Sequence, residues 1–377
     1  MAQTTQTETY PQTPTLYIAT ELSSKKWKLA SSAGGRTTRE RTIDYGDRES
    51  LRKEVERSRQ RFELPKGCRV LFCQEAGRDG FWIHRMLEEM GFESLVIDPA
   101  SVNVPRKARR AKTDRLDALL LLRELVRYDR YDSDAWSVVR VPSREDEDAR
   151  RPIRELGRLT KERSQHVTRI KSLLCLHGVK VSTMPALELR LARIKTQEGA
   201  PLPMLARAEI ERELARWRLV MGQIRQIETE QQEELQECRT KQAVQMRQLL
   251  RLRGIGKRTS AIVATELFGW RTFRNRREVG ACVGLCGSPY NSGNSEREQG
   301  ITKAGNARLR ALMIEAAWSW VRWQPDSDLT EWFQRRFAGD ARRKKAGIVA
   351  VARKLLIQLW HYLEHDVVPK NAIIREA

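Results

Sequence analysis

Arg69-Val70-Leu71-Phe72-Cys73-Gln74-Glu75 is the stretch that decides how the first part of this chain folds. From Arg69 to Cys73 the run is nearly continuous in its apolar character, which suits a strand buried on both faces. Glu75 directly follows it, and Gly77 and Gly80 end it. Upstream, residues 16–20 form a short β-type run followed directly by Glu21. Ser23-Ser24-Lys25-Lys26 reads as a turn, residues 27–30 as a second strand, Gly34-Gly35 as a hairpin turn and residues 41–45 as a third strand. Leu51, Val55 and Phe62 recur at helical spacing in a charged segment over 47–62. Downstream, residues 81–90 read as a helix and 94–97 as a strand that Pro99 ends. A helix over 112–128 carries Leu116, Leu119, Leu120 and Leu122 on its apolar side.

Three strands, a helix, a strand, a helix, a strand and a helix is the order of the ribonuclease H-like fold, a mixed sheet with helices on its faces. The sequence therefore predicts an α/β RNase H-like (RuvC-like) domain over residues 15–143, behind a polar, disordered tail over 1–14. From 144 to 248 there are no β-type runs, and Arg, Glu and Gln accompany leucines at helical spacing. This predicts an α-helical middle region, with 209–250 long enough for a coiled-coil-like arm. Residues 249–377 read as a mainly α-helical C-terminal domain. It opens on Leu252-Arg253-Gly254-Ile255-Gly256-Lys257, a tight turn between helices resembling a helix-hairpin-helix, whose amides at Gly254, Gly256 and Lys257 suit a phosphate. Trp318, Trp320, Trp323, Trp332 and Trp360 are read as core residues of this domain.

Composition narrows the partners. Among 377 residues, 70 Lys and Arg against 49 Asp and Glu leave a net charge of +21, an excess that attracts polyanions, of which nucleic acid is the commonest. A hydrophobic share of 40% excludes the disordered class. Six scattered cysteines without C-x-x-C spacing argue against a zinc site and for reduced, buried thiols. No signal peptide and no apolar run of membrane length is read, so a cytoplasmic protein with no membrane association is expected.

Four carboxylates stand out. Asp114 and Asp117, three apart at the start of a helix, share one helical face. Glu21 and Glu75 each follow a strand that neighbours the other in the expected sheet. Converging there, the four would repel one another unless divalent cations joined them, and oxygen-only ligands favour Mg2+ or Mn2+ over zinc. Two such ions can bind the attacking and leaving oxygens of a displacement at phosphorus. The adjacent run Arg106, Lys107, Arg109, Arg110 and Lys112 suits a phosphodiester backbone. Later, the glycine- and serine-rich stretch 284–310 reads as a loop leading into a helix near Asn306. Ser292-Gly293 places a small nucleophile beside a residue permitting close approach, with Arg297, Lys303, Arg308 and Arg310 to neutralise a phosphate. Ser288 and Ser295 remain open as alternatives to Ser292.

Taken together, Ala-Thr-Glu-Leu-Ser, Glu-Ala-Gly-Arg-Asp-Gly, Lys-Thr-Asp-Arg-Leu-Asp-Ala, Leu-Arg-Gly-Ile-Gly, Ser-Gly and Gly-Ile-Thr-Lys-Ala-Gly-Asn-Ala-Arg-Leu-Arg resemble the motifs of the DEDD-type transposases of bacterial insertion sequences, the one-ten family. The resemblance spans about residues 16–323. It implies a recombinase of donor and target DNA, guided by a structured noncoding (bridge) RNA and assembled as a tetramer from dimers in the bacterial cytoplasm at the nucleoid. It also implies Glu21, Glu75, Asp114 and Asp117 as metal ligands and Ser292 as the nucleophile of a covalent 5′-phosphoserine link. The family usually has Asp where this chain has Glu21, which lengthens the side chain by one methylene. The competing expectations are a RuvC-like metal-dependent, structure-specific endonuclease using water, and a nucleic-acid scaffold without chemistry.

Overall fold

The computed structural model describes residues 13–102, 113–292, 295–337 and 339–375. The chain divides into two compact units, Met1–Pro142 and Ser143–Ala377.

The first unit is a mixed five-stranded sheet. Strands β1 (Thr15–Leu22), β2 (Lys26–Ser32) and β3 (Arg39–Asp44) form an antiparallel meander. Helix α1 (Arg48–Arg61) crosses to β4 (Arg69–Glu75), parallel to β1, and α2 (Gly80–Glu89) crosses to β5 (Glu93–Ile97), parallel to β4. The strand order is β3-β2-β1-β4-β5. The central strands β1 and β4 are apolar on both sides because both faces are covered. Leu16 and Ile18 of β1 and Val70 and Phe72 of β4 pack with Leu51 and Val55 of α1 and with Ile83, Met86 and Leu87 of α2. The alternate residues, Tyr17, Ala19, Leu71 and Cys73, face the other way, against Ala118, Leu121, Leu122 and Leu125 of α3 (Asp114–Arg130). The period of two thus separates two cores across one sheet.

In the second unit, short α4 (Arg144–Asp148) precedes α5 (Arg151–Cys175), α6 (Met184–Arg190) and α7 (Met204–Glu237). Helices α5 and α7 pack against each other through Ile170, Leu174, Ile210 and Leu214, and further along through Leu159, Val220 and Ile224. The arm expected over 209–250 is two helices: Cys238 adopts a left-handed φ of 50° and α8 (Lys241–Leu250) starts afresh behind the cap Thr240. The remaining elements share one large core. They are α9 (Lys257–Val263), continued by a π-helical turn Ala264–Phe268, α10 (Arg276–Cys282), α11 (Ala307–Trp323), α12 (Asp328–Phe337) and α13 (Ala341–His365). A hairpin of β6 (Gly287–Ser292) and β7 (Ser295–Ile301) interrupts the helices where a loop is expected from the sequence. Asn306 caps α11, accepting from the amides of Arg308 and Leu309. Of the six thiols, Cys68 and Cys73 are buried, whereas Cys175 is exposed and the others are half-buried, so the expectation of buried thiols holds for two.

A buried ion cluster ties α5 to α7. Glu213 accepts from His166 Nδ1 at 2.6 Å and from Arg169 at 3.4 Å, and from Arg216 one turn along its own helix. Burial pushes the Glu213 carboxyl up, and the His166 and arginine contacts outweigh it, so its pKa lies below the ordinary value. A depressed carboxyl contributes stability that is present above the unfolded pKa and lost as pH falls through the folded one. Glu213→Gln weakens three contacts, of which those to the largely exposed Arg169 and Arg216 are screened by solvent, and is expected to cost about 1–2 kcal/mol. Thermal unfolding at neutral pH should show that loss, and the difference from wild type should shrink as the pH falls below the usual carboxylate range.

Candidate functional site

The carboxylates are positioned by strand alternation. Glu21 continues the Tyr17–Ala19 face of β1 and Glu75 the Leu71–Cys73 face of β4, which puts both on the side of the sheet that α3 covers. Because β1 and β4 are parallel, with Thr20 beside Gln74, the two glutamates follow at adjoining strand ends. They line one pocket of about 270 Å³ together with Thr20, Ser23 and Asp79. Burial, with the neighbouring Glu75 charge, pushes the Cys73 thiol well up, as expected for an inert thiol behind an acidic site.

The direction of α3 follows from its far end. Asp129 Oδ2 accepts from the Tyr17 hydroxyl at 2.6 Å, and Arg130 donates to that hydroxyl at 3.1 Å and to the Ala33 carbonyl at 2.9 Å. The C-terminal end of α3 is therefore tied to the beginning of β1, and Leu121 lies against Cys73 midway. Its N-terminal turn, with Asp114 and Asp117, runs toward the strand ends that carry Glu21 and Glu75. Thr113 caps that turn by accepting from the Leu116 amide at 3.3 Å, and both aspartates gain from the helix N-terminus. Neither aspartate lines the glutamate pocket, and among the described residues no three His, Cys, Asp or Glu side chains stand together closely enough to hold a metal ion. The donor set itself, four carboxylates with no sulfur or imidazole, suits a hard divalent cation.

Asp79 is the acid that sequence reasoning passed over, although it lies within the quoted Gly-Arg-Asp-Gly motif. It accepts from the Trp82 indole at 3.2 Å, from Arg78 at 3.3 Å and from the Tyr45 hydroxyl at 3.4 Å. Its burial acts to raise its pKa, but these contacts outweigh that and hold it below the ordinary value.

The basic residues Arg106, Lys107, Arg109, Arg110 and Lys112 lie outside the described residues. In the second unit, Ser292 is the last residue of β6 and pairs with Ser295 of β7, so it sits at the end of the hairpin, beside Gly293, while Ser288 lies near the hairpin base. Arg297 pairs with Tyr290 within that ladder. Lys303 holds a left-handed φ of 56° between the hairpin and α11. Two of the cations assigned to phosphate also hold the fold together. Arg308 donates to the Ile153 carbonyl at 3.0 Å, and one Arg310 nitrogen donates to the carbonyls of Val283 and Lys303 at 3.1 and 2.9 Å. Gly254, at φ 90°, packs against Ser319 and Trp323, so a Cβ there would be both strained and tight. Gly256 caps α9 with nothing near its Cα, and Lys257 donates to Gln232 of α7 at 2.7 Å.

A mixed sheet with acidic strand ends, carried in one strongly basic chain with a helical unit, suits an enzyme that acts on nucleic acid. Residues 246–330 match the Transposase IS116/IS110/IS902 family. The chain is 39% identical over 376 residues to "Putative transposase y4rJ" of Sinorhizobium fredii, covering 96% of this chain and 94% of that protein. It is 26% identical to the transposase for insertion sequence element IS1328 of Yersinia enterocolitica, over 77% of this chain and 82% of that protein. It is 25% identical to the transposase for element IS1111A of Coxiella burnetii, over 69% and 67%. The chain belongs to the IS116/IS110/IS902 family of transposases, enzymes that cut and rejoin DNA. Among the described residues no helix is long and apolar enough to cross a membrane.

Proposed function

We propose that this transposase is a bridge-RNA-guided serine recombinase with a RuvC-like, ribonuclease H-like N-terminal domain. The observation that supports the reading most is the pair Glu21 and Glu75 at adjoining ends of parallel strands, on the sheet face that α3 covers. The order β3-β2-β1-β4-β5, with three antiparallel strands followed by two parallel ones, supports the fold assignment. In this reading residues 15–143 form the carboxylate domain, 144–248 the helical arm and 249–377 the serine domain. The active species is a cytoplasmic tetramer built from dimers.

Glu21, Glu75, Asp114 and Asp117 would hold Mg2+ or Mn2+, which when bound stabilises negative charge on the oxygens of the scissile phosphate. The Ser292 hydroxyl attacks that phosphorus and gives up its proton to solvent. An O–P bond forms to the serine, the bond to the 3′ oxygen breaks, that oxygen takes a proton from solvent, and a free 3′-hydroxyl and a 5′-phosphoserine remain. A 3′-hydroxyl of another strand then attacks the phosphoserine and loses its proton, a new O3′–P bond forms as the P–Oγ bond breaks, and the Ser292 oxygen takes up a proton to regenerate the hydroxyl. The bond energy is kept throughout, so rejoining requires no external energy source. Arg297 and Lys303 offset the phosphate charge during both steps.

Guidance by RNA is tested by reconstitution. Purified protein with magnesium, donor and target DNA is expected to form recombinant junctions, read by sequencing, only when the element-encoded RNA is added. Reprogramming the RNA segment that pairs with the target should move the junction accordingly. Recombination of equal yield without RNA would contradict the guided reading.

A further inference from the structure

The pocket beside the Gly254 turn belongs neither to the carboxylates nor to the serine hairpin. It has a volume of about 590 Å³ and is lined by Arg253, Gly254, Gly256, Ser319, Trp323, Ile373 and Arg375. That volume falls within the range of about 300–1,000 Å³ that small organic ligands occupy. Among the described residues no carboxylate lines it. Trp323 is read from the sequence as core, yet it is 44% exposed, whereas Trp320, one turn earlier, is completely buried. The guanidinium groups of Arg253 and Arg322 lie over the Trp323 ring, 5.5 and 5.3 Å from its centre, so the indole and two cations together make a cationic, aromatic wall.

The walls are held rigidly. Buried Gln324 donates to the carbonyls of Arg253 and Ile373 at 2.7 and 3.0 Å and accepts from the Ile373 amide at 2.6 Å. The Arg253 amide donates to Ile373 at 3.1 Å and the Arg375 amide to Arg251 at 2.7 Å, which fixes the segment carrying Arg375 beside the turn. Ser319 donates to the Gly254 carbonyl at 2.7 Å. None of these backbone contacts uses the Arg375 guanidinium. At Gly256 no side chain obstructs approach to the backbone.

We infer that this pocket seats one unpaired nucleotide of a single-stranded segment, its base against the Trp323–arginine wall and its phosphate at Arg253 and Arg375. The chemistry selects that ligand: an indole–guanidinium surface for the base, cations for the phosphate, no acid among the described lining residues, and a glycine floor for the sugar–phosphate chain. A base inside a duplex has no free face to offer such a wall, so an unstacked one is required. The nucleotide can come from a DNA substrate strand or from an RNA strand, and both share this chemistry. The inference rests on the chain being a transposase that handles nucleic acid, and not on the serine or the RNA-guide reading.

Fluorescence anisotropy with the full chain tests it, using labelled oligo-dT, oligo-rU and a DNA duplex, each of about 12 units. Trp323→Ala should weaken single-strand binding about tenfold or more, as expected for loss of a base-stacking aromatic, with duplex affinity changed far less. Trp323→Phe should retain most of the affinity. Loss on oligo-dT alone would assign the pocket to a DNA strand, loss on oligo-rU alone to an RNA strand, and either supports the inference. Unchanged single-strand binding, or an equal loss on all three probes, overturns it. Should Trp323→Ala fail to fold by circular dichroism, Arg375→Gln carries the same comparison, and unchanged single-strand binding by that variant overturns the inference equally. Binding is read without catalysis, so failure here leaves the recombinase reading standing.

Discussion

Ser292→Ala is expected to reduce recombination by about 10⁴-fold or more, the scale on which removal of an enzyme's nucleophile acts. Folding should be unaffected, because Ser292 is the last residue of β6, at the end of a chiefly polar hairpin, and is not a member of the large core. The size of the effect distinguishes mechanisms. An enzyme that hydrolyses phosphodiesters with metal-activated water would cut as well with alanine at 292 as with serine. Parallel assays of Ser288→Ala and Ser295→Ala decide which hydroxyl in the hairpin acts, and both should retain activity within about an order of magnitude.

Loss of the carboxylates should be almost as severe and different in kind. Glu75→Gln and Asp117→Asn each remove one negative charge while preserving shape, and recombination should fall on the order of 10³-fold in magnesium. DNA and RNA affinity should change little, since the basic residues that attract polyanions are untouched. A scaffold without chemistry would show no such separation between binding and turnover. Glu21→Asp restores the residue more usual at that position in the resemblance described above. It alters only the reach of the side chain, and its activity relative to wild type, measured over a range of Mg2+ and Mn2+ concentrations, reports whether the longer acid sets the metal requirement.

Much of the first unit is legible in the sequence because each of its signals is local. Apolar runs mark β1 and β4, the second flanked by Gly67 and Gly77, and the Glu21 and Glu75 positions follow from where those runs stop. What the pattern misses has physical causes. The hairpin Gly287–Ser292 with Ser295–Ile301 has no apolar alternation, since its residues are chiefly polar, so nothing in its composition separates it from a loop. The break between α7 and α8 falls on Cys238 in a left-handed conformation, where a glycine or asparagine would have announced it. Leu309, Met313, Ala316 and Trp320 mark one buried stripe of α11, and Trp318 lies off that stripe and is exposed. Trp323 lies on the stripe but in the last turn, where the core ends, so spacing alone assigns it wrongly. Arg375 reaches the Gly254 turn through a bridge between Leu252 and Ile374, a pairing more than a hundred residues apart that no local pattern reports. Nor does sequence reveal that Arg308 and Arg310 spend donors on main-chain carbonyls of their own unit.

The most direct test of the central claim is to trap the covalent intermediate and locate it. Wild-type protein would be incubated with magnesium, its RNA and a donor DNA whose rejoining is blocked, then digested with protease and nuclease and analysed by mass spectrometry. A peptide carrying a 5′-phosphonucleotide on Ser292 is expected, absent when magnesium or RNA is withheld. Cleaved DNA ends with no nucleotide attached to any serine of the chain would contradict it and assign the cutting to water.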